Sequence, residues 1–210
     1  KGRTEAFLQS KYKITSSDII FLIKEDNLSS IEKTKIEDNN SQVYFTENFN
    51  YSINKEIFKG EKVLVITNYN LPKSDKFFFE SAMINLNEQK FIAKDVEIEI
   101  HKGIFDNTEN DPRLKGVSSV SDSNLTIIKK GVFTSCKKND NCPPWSIFAK
   151  EIKHDKTKKQ LIYKNAILKI LEEHSNWKAL SIGDESRRKI YINHNQHKEL
   201  GFLNHKKTLS

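Results

Sequence analysis

The sequence is poor in turn-forming residues and in long apolar segments. Among 210 residues it has seven glycines, four prolines and one methionine, and 36% of its residues are hydrophobic. No run of 18 apolar residues occurs, so the sequence predicts no membrane-spanning helix. The low apolar content favours thin, half-exposed layers over one thick core. The chain begins with Lys1 and shows no apolar leader, so we expect a mature or excised fragment whose export signal lies outside this sequence.

Sequence motifs for catalysis and for metal binding are also lacking. There is no glycine-rich phosphate loop, no G-x-S-x-G elbow and no H-E-x-x-H pattern. His194 and His197 lie three residues apart in a polar segment, as inert surface histidines often do. We therefore expect a protein that is not an enzyme and holds no metal or cofactor.

Two cysteines, Cys136 and Cys142, lie in a polar segment with five residues between them. Zinc needs about four ligands, and the sequence offers no second pair at a suitable spacing. In an oxidising compartment the two thiols would form a local disulfide worth roughly 2 kcal/mol, whereas in the cytosol they would stay reduced. Pairing with cysteines of a longer parent chain is the remaining alternative.

The positive charge is concentrated near the C-terminus. The net charge is +7, and residues 151–210 carry 13 basic and 7 acidic side chains, against 22 and 21 in residues 1–150. A basic tail more often serves solubility or a loosely held anion than a dedicated nucleic-acid site.

Short alternating runs of β-branched and aromatic residues dominate the chain. Examples are the runs around Phe21, Phe49, Val63 and Ile98, each bounded by polar turn residues. Amphipathic helical stretches are almost absent before residue 165. The sequence therefore predicts an all-β fold.

An internal repeat relates several of these runs. Residues 91–100 align without gaps on residues 161–170, and residues 57–66 form a weaker copy. The offsets of 34 and 70 predict a unit of 34 or 35 residues with one copy degenerate or absent. A polar pair interrupts each strong copy, Lys94 with Asp95 and Lys164 with Asn165, which indicates a bulge that switches the inward face.

Two segments of the chain do not follow the repeat. Residues 118–130 and 131–135 suggest a separate strand pair. Residues 172–181 suggest a short helix, and the segment 171–210 lacks alternation. We therefore predict one domain over residues 1–170 and a poorly ordered, dispensable basic tail over residues 171–210.

Short motifs occur in a specific order and spacing over roughly residues 10–170. They are Ser16–Ile19, Leu28–Ser30, Phe91–Asp95, Asn110–Gly116, Lys130–Cys136, Cys142–Trp145 and Ile152–Asp155. In this order and spacing they resemble the periplasmic part of the LptD family of LPS-assembly proteins, also called organic solvent tolerance proteins, in its alphaproteobacterial form. After residue 170 the sequence departs from the family, and neither its aromatic, proline-rich segment nor its barrel strands follow.

This resemblance implies an elongated, open, OstA-like β-jellyroll of the LptA and LptC kind, with two facing antiparallel sheets around a V-shaped slot. The slot would accept the acyl chains of lipopolysaccharide (LPS) and pass them toward an outer-membrane barrel, on the periplasmic side of that membrane. By the period of two in a strand, the candidates that line it are Phe91, Ala93, Val96, Ile98, Ile100, Leu161, Tyr163, Leu168 and Ile170.

The resemblance also implies partners. LPS would be the ligand, and an LptA-like bridge protein would dock by edge-to-edge strand pairing. An LptE-like lipoprotein would be a partner only if the barrel were present. The alternative function is a basic all-β nucleic-acid binder, which should interleave exposed aromatics with lysines. Because the aromatics cluster in the neutral part, as at Phe77–Phe79, we expect no nucleic-acid partner.

Overall fold

A computed structural model of the chain confirms the predicted all-β fold. It describes residues 3–8, 10–88, 90–102, 110–138, 145–155, 157–158, 160–170, 178–181 and 189–193. Within these ranges the regular elements are strands, apart from one 3₁₀ turn over Ile23–Glu25. By its contacts the chain divides into unit 1, residues 1–98 with 120–123, and unit 2, residues 99–119 with 124–210. The single domain predicted over residues 1–170 thus contains a further division.

The described residues of unit 1 form nine strands, in the order β1-β2-β5-β6-β7-β8-β9, with β4 beside β6 and β3 beside β4. The pairs from β1 to β8 whose registers are defined are antiparallel. The strands span Thr4–Leu8 (β1), Tyr12–Ser16 (β2), Ile20–Leu22 (β3), Asn27–Ser30 (β4), Thr34–Asp38 (β5), Val43–Ser52 (β6), Ile57–Ile66 (β7), Lys76–Asn85 (β8) and Lys90–Glu99 (β9).

Strand β6 is where unit 1 divides into two layers. Its first half pairs with β5, with Thr46 opposite Thr34, and its second half pairs with β4, with Phe49 opposite Ser30. Between the halves Asn48 has a φ of 50°, and the register with β7 shifts on both sides of Glu47. A bend of this kind turns the two halves of one strand into parts of two sheets, as a jellyroll requires.

The predicted mid-strand interruption is present as a backbone kink. Asp95 and Asn165 have φ values of 48° and 52°, in the left-handed region. Before the kink the odd-numbered residues are buried or half-buried, and after it the even-numbered ones are. The inward face therefore switches parity as predicted, and it comprises Phe91, Ala93, Val96 and Ile98 in β9 and Leu161, Tyr163, Ala166 and Leu168 in β13.

The same kink identifies the repeat copy that could not be recognised in the sequence. Left-handed residues occur at Lys62 and Lys130, so the kinks lie 33, 35 and 35 residues apart along the chain. The missing copy is β11, whose inward residues are Thr126, Ile128, Gly131 and Phe133. The predicted boundary between residues 130 and 131 is wrong, because it is a kink inside one strand. The predicted offset of 34 for the first copy is one residue too long.

The kink in β13 is not the bulge that we predicted. Ala149 pairs with Ala166 and Glu151 pairs with Lys164, so the register on either side of Asn165 is the same. The face switches because one residue adopts a left-handed conformation, and no residue is inserted.

Valine in place of Asp95 should destabilise unit 1 by about 1–2 kcal/mol, because a β-branched residue is strained at positive φ. The matched control is valine at Lys94, the exposed neighbour, which forms a 3.8 Å ion pair with Asp95. Both changes remove that ion pair. The free energy of unfolding of the Lys94→Val control should stay within about 0.5 kcal/mol of the wild-type value. Equal unfolding midpoints in urea for the two variants would contradict a strained kink.

The described residues of unit 2 form six strands, with β10-β11-β12-β13 in order and two short strands beside β13. Its core includes Phe133 and Trp145, whose ring centroids lie 5.9 Å apart, together with Ile152 and Tyr163, which are almost fully buried. The strands span Arg113–Ser121 (β10), Leu125–Thr134 (β11), Trp145–Asp155 (β12), Gln160–Ile170 (β13), Lys178–Ser181 (β14) and Lys189–Asn193 (β15).

The C-terminal segment contributes strands where the sequence suggested none. β14 pairs with the second half of β13 and β15 with its first half. The predicted helix over residues 172–181 is wrong for 178–181, where the backbone is extended. The remainder of 171–210 lies outside the described residues, so the predicted poor order of the tail stays a prediction.

Unit 2 should lose stability on acidification through Glu151. Its side chain is 11% exposed and forms ion pairs with Lys129 and, at 3.5 Å, with Lys153. The hydrogen bond from Lys129 holds the pKa of Glu151 below its usual value. A lowered pKa contributes stability that is fully present at neutral pH and is lost as the pH falls through the folded-state value.

We therefore expect Glu151→Gln to be less stable than wild type at pH 7 and the difference to shrink as the pH drops below about 4. Thermal unfolding of both proteins at several pH values from 7 to 3 measures this difference in stability. Glu88→Gln, at an exposed carboxylate paired with Lys90, is the control and should follow the wild-type profile. A constant difference across this range would rule out the ionised carboxylate as its cause.

Candidate functional site

An apolar cavity lies inside unit 1, where inward residues of both layers meet. It has a volume of about 20 Å³ and is lined by nine residues, among them Tyr12, Ile14 and Ile36 from β2 and β5, and Phe49, Tyr51 and Phe58 from the bend of β6 and from β7. The rings of Phe49 and Phe58 stack at 6.1 Å. The residues that line it come from strands far apart in the sequence.

A wider groove of about 300 Å³ adjoins this cavity. The two share Tyr12, Tyr44 and Leu86, and the wider part adds residues of β7, β8 and β9. We call the two together the unit 1 groove. The apolar residues of its wider part, besides the shared ones, are Val65, Phe77, Phe79, Ile84 and Phe91.

Three phenylalanines form a continuous aromatic surface in the groove. Phe77 and Phe79 share one face of β8 because residues two apart in a strand point the same way. Their ring centroids lie 6.5 Å apart, and Phe91 of β9 lies 5.3 Å from Phe79. Phe77 and Phe91 are half-buried, so this apolar surface remains partly accessible.

The mouth of the groove is polar. Asp38, Asn40, Gln42 and Thr67 line it. The Asp38 carboxylate accepts hydrogen bonds from the backbone N–H groups of Asn40, at 2.8 Å, and Gln42, at 2.7 Å. The β5–β6 turn is therefore fixed with a negative charge at the groove entrance.

Tyr12, Tyr44 and Tyr51 line the inner cavity with apolar surface only, and the Tyr51 hydroxyl is buried. Burial raises the pKa of Tyr51 to about 12, assisted by Glu56 and Tyr12. Burial also raises the pKa of Tyr44, with Asp38 adding to the effect. Both phenols therefore stay protonated at neutral pH and can donate hydrogen bonds.

A second concavity, of about 580 Å³, lies on the opposite face of the same strands. Its lining includes Thr15, Lys35 and Leu64, each one residue away from the groove residues Ile14, Ile36 and Val65. Neighbouring residues of a strand point to opposite faces, so this polar basin is separate from the groove. Its Lys62 donates a 2.6 Å hydrogen bond to Glu47, which lowers the pKa of that carboxyl.

The nine predicted slot residues fall into both units. Phe91 lines the unit 1 groove, and Ala93, Val96 and Ile98 are buried on the same inward face of β9. Ile100 is half-buried and belongs to unit 2. Of the β13 candidates, Leu161 and Tyr163 are buried in the core of unit 2, and Leu168 and Ile170 are half-buried on its inward side. Their proposed role as a lipid slot stays a prediction.

Sequence reasoning missed most of the groove. These residues lie outside the repeat that directed attention to β9 and β13: Tyr12 and Ile14 in β2, Ile36 in β5 and Tyr44 in the first half of β6. The alternation of Phe49 with Tyr51 and the cluster Phe77–Phe79 were visible signals. Neither signal alone indicates that these segments meet.

Cys136 is fully buried, although the segment that follows it in the sequence is polar. Its backbone N–H donates to the Thr134 hydroxyl at 3.2 Å, and Arg113 donates to its carbonyl oxygen. Cys142 lies outside the described residues, as do His194 and His197. The pairing of Cys136 with Cys142 therefore stays a prediction.

Other site types find no support in the part of the chain that the structure describes. It contains no group of three or more His, Cys, Asp or Glu side chains able to hold a metal ion. None of its helices is long and apolar enough to cross a membrane.

No profile of a known protein family and no curated protein matches the chain. The resemblance to LptD proteins thus depends on the sequence segments given above.

Proposed function

We propose that the chain is a non-catalytic carrier that binds LPS acyl chains in the unit 1 groove and passes them toward an outer-membrane barrel. The observation that carries this proposal is the aromatic surface formed by Phe77, Phe79 and Phe91 in a groove that is still partly accessible. An ordinary core would bury the half-exposed rings of Phe77 and Phe91.

The size of the groove suits part of a lipid. A volume of about 300 Å³ is at the lower limit of small-molecule sites, which run from roughly 300 to 1,000 Å³. An acyl chain fits this volume better than a whole glycolipid. Each buried methylene contributes about 0.8 kcal/mol, so six of them supply about 5 kcal/mol, an affinity weak enough for onward transfer.

The direction of the aromatic side chains supports lipid over nucleic acid. Single-stranded nucleic acids stack on exposed aromatics beside lysines. Here Phe79 is buried and Phe77 and Phe91 point into the groove, where the only carboxylate or ammonium side chain among the described lining residues is Asp38.

Edge-to-edge docking remains part of the proposal. β1, Thr4–Leu8, is the outermost strand in the order of the described strands of unit 1. Phe7 on this strand is 72% exposed. An unpaired edge with an apolar side chain is a template for another strand. The proposed partner is a bridge protein of the LptA kind, on the periplasmic side of the outer membrane.

Site-specific photo-crosslinking tests this function. A photoreactive amino acid at Phe77, Ile84 or Phe91 should capture LPS, because these half-buried side chains line the groove. The matched controls are Met83 and Ile92, exposed neighbours on β8 and β9 that alternate to the outer face. They should give little capture. Equal capture at inward and outward positions would show that LPS does not enter the groove.

A further inference from the structure

A cluster of lysines occupies the outer face of the sheet in unit 2. Three stretches lie side by side in register, residues 127–132 of β11, 148–153 of β12 and 162–167 of β13. The structure describes all three stretches, and the only carboxylate in them is Glu151. They hold five lysines, which we call the lysine face: Lys129, Lys130, Lys150, Lys153 and Lys164.

The lysine face points away from the core of unit 2. At the kink of β11 the inward positions pass from Ile128 to Gly131, so Lys129 and Lys130 both lie on the outer side. Four of the five lysines are exposed, and the side chain of the fifth, Lys153, is 42% exposed. The kink therefore places two consecutive cations on one accessible surface.

A single carboxylate balances three of these ammonium groups. Glu151 forms ion pairs with Lys129 and Lys153, and the charge of Lys164 also lowers its pKa. One negative charge cannot neutralise three positive ones, so this part of the face keeps a positive excess.

The remaining two lysines face each other. Lys130 lies directly opposite Lys150, since the register between β11 and β12 is continuous on both sides of them. Neither forms an ion pair with a residue that the structure describes. Positive charge concentrated on an exposed sheet face attracts an anionic partner.

The side chains between the lysines favour a lipid surface over a nucleic acid. Ile162 is half-buried and Ile167 is 39% exposed, both on the outer face. The Phe148 ring lies beneath the ammonium group of Lys169, 4.3 Å from its centroid, so it is not free to stack on a base. Aliphatic side chains beside lysines suit the headgroup region of a bilayer, where they bury among acyl chains while the lysines contact lipid phosphates.

We infer that the lysine face docks the chain on the surface of a bilayer that contains anionic phospholipids. The lysines bind the lipid phosphates, and Ile162 and Ile167 enter the headgroup region. This docking uses the outer face of unit 2, whereas the proposed lipid carriage uses the groove of unit 1. Either one can therefore hold without the other.

Co-sedimentation of the full chain with phospholipid vesicles tests the inference. We expect binding to vesicles of equal parts phosphatidylcholine and phosphatidylglycerol and little binding to phosphatidylcholine alone. Raising the salt from about 0.1 M to about 1 M shortens the screening length from about 10 Å to about 3 Å and should release most of the protein. Equal binding to both kinds of vesicle, or binding to neither, would overturn the inference.

The free headgroup glycerophosphoglycerol separates a bilayer surface from a phosphate site. At the concentration of the vesicle lipid it should not displace the protein, because docking needs many phosphates in one surface. Displacement by this soluble phosphodiester would show a site for single phosphates and would overturn the inference.

Replacing Lys130 and Lys150 together with glutamine should weaken binding to the mixed vesicles by about 30-fold, since each lysine near an anionic surface contributes a factor of about five. Glutamine is also unbranched at the kink and removes the repulsion between the two lysines. This variant should therefore unfold at the wild-type temperature or above it.

The matched control makes the same change of charge in unit 1. Glutamine at Lys59 and Lys76, two exposed lysines of β7 and β8, should leave the affinity for the mixed vesicles within about twofold of the wild-type value, because charges that do not face the bilayer are screened. Equal affinities of the two double variants would contradict docking through the lysine face.

Ile167→Ser distinguishes a bilayer from a nucleic acid. Loss of this aliphatic side chain should weaken vesicle binding about fivefold, whereas Ile92→Ser, at an exposed isoleucine of β9, should leave it unchanged. Oligodeoxythymidylate is the competing probe, because single strands bind through charge and base stacking. A preference of wild type for the oligonucleotide over the mixed vesicles at equal phosphate concentration would assign the face to a nucleic acid and overturn the inference.

Discussion

Aspartate in place of Phe91 is expected to lower the affinity for LPS by about 100-fold. The substitution removes an aromatic ring that contacts Phe79 and lines the groove, and it places a charge where the acyl chain would lie. Lost apolar burial and the cost of a carboxylate beside the lipid together reach about 3 kcal/mol. Because Phe91 is only half-buried, water can still reach the new carboxylate and unit 1 should stay folded.

Ile92→Asp is the matched control for this prediction. Ile92 is the next residue of β9, is 53% exposed and points to the outer face. The affinity of the Ile92→Asp variant for LPS should remain within about twofold of the wild-type affinity, since substitutions at exposed positions rarely have larger effects. Circular dichroism verifies that both variants are folded. An equal loss of binding in both would mean that the lipid does not follow the inward face of β9.

Valine in place of Gly131 is expected to destabilise unit 2 strongly. A Cβ atom at this inward position would lie 2.4 Å from Cδ1 and 2.7 Å from Cγ1 of Ile152, which is almost fully buried. Such overpacking costs about 1–3 kcal/mol, and each kcal/mol lowers the melting temperature of a domain of this size by about 4–8 °C. Intrinsic strand propensity predicts the opposite sign, because valine is favoured in strands.

A double variant separates overpacking from other causes. Ile152→Ala removes the atoms that the valine would meet, so Gly131→Val combined with Ile152→Ala should be more stable than the sum of the two single losses predicts. Val117→Leu adds bulk on an exposed face of β10 and should change stability by less than about 0.5 kcal/mol. Strict additivity of the two inward changes would contradict the tight contact between Gly131 and Ile152.

The sequence predicts the kinked strands wherever apolar residues mark both sides of the kink. In β9 and β13 the alternation breaks visibly at Asp95 and Asn165, so the repeat and its face switch are readable. In β11 the inward positions include Thr126 and Gly131, which carry no hydrophobic signal. The third copy was therefore hidden, although its backbone has the same kink at Lys130.

The groove depends on information that local patterns do not contain. Tyr12, Tyr44 and Phe91 meet because β2, β5 and β6 pair over long sequence distances and because β6 bends at Asn48. The period of two correctly places Phe91 on an inward face, but it does not tell which other strands face it. The strands β14 and β15 were missed for a related reason, since their pairing with β13 overrides a weak local pattern.

The central claim is that acyl chains, and not charge, bring LPS to this protein. The most direct test compares equilibrium binding of intact LPS with binding of the same LPS after complete deacylation, which keeps the sugars and phosphates. We predict saturable binding of intact LPS, reduced by Phe91→Asp, and little binding of the deacylated form. Equal binding of both forms by wild type would show that the basic surface carries the interaction and would contradict a lipid-binding groove.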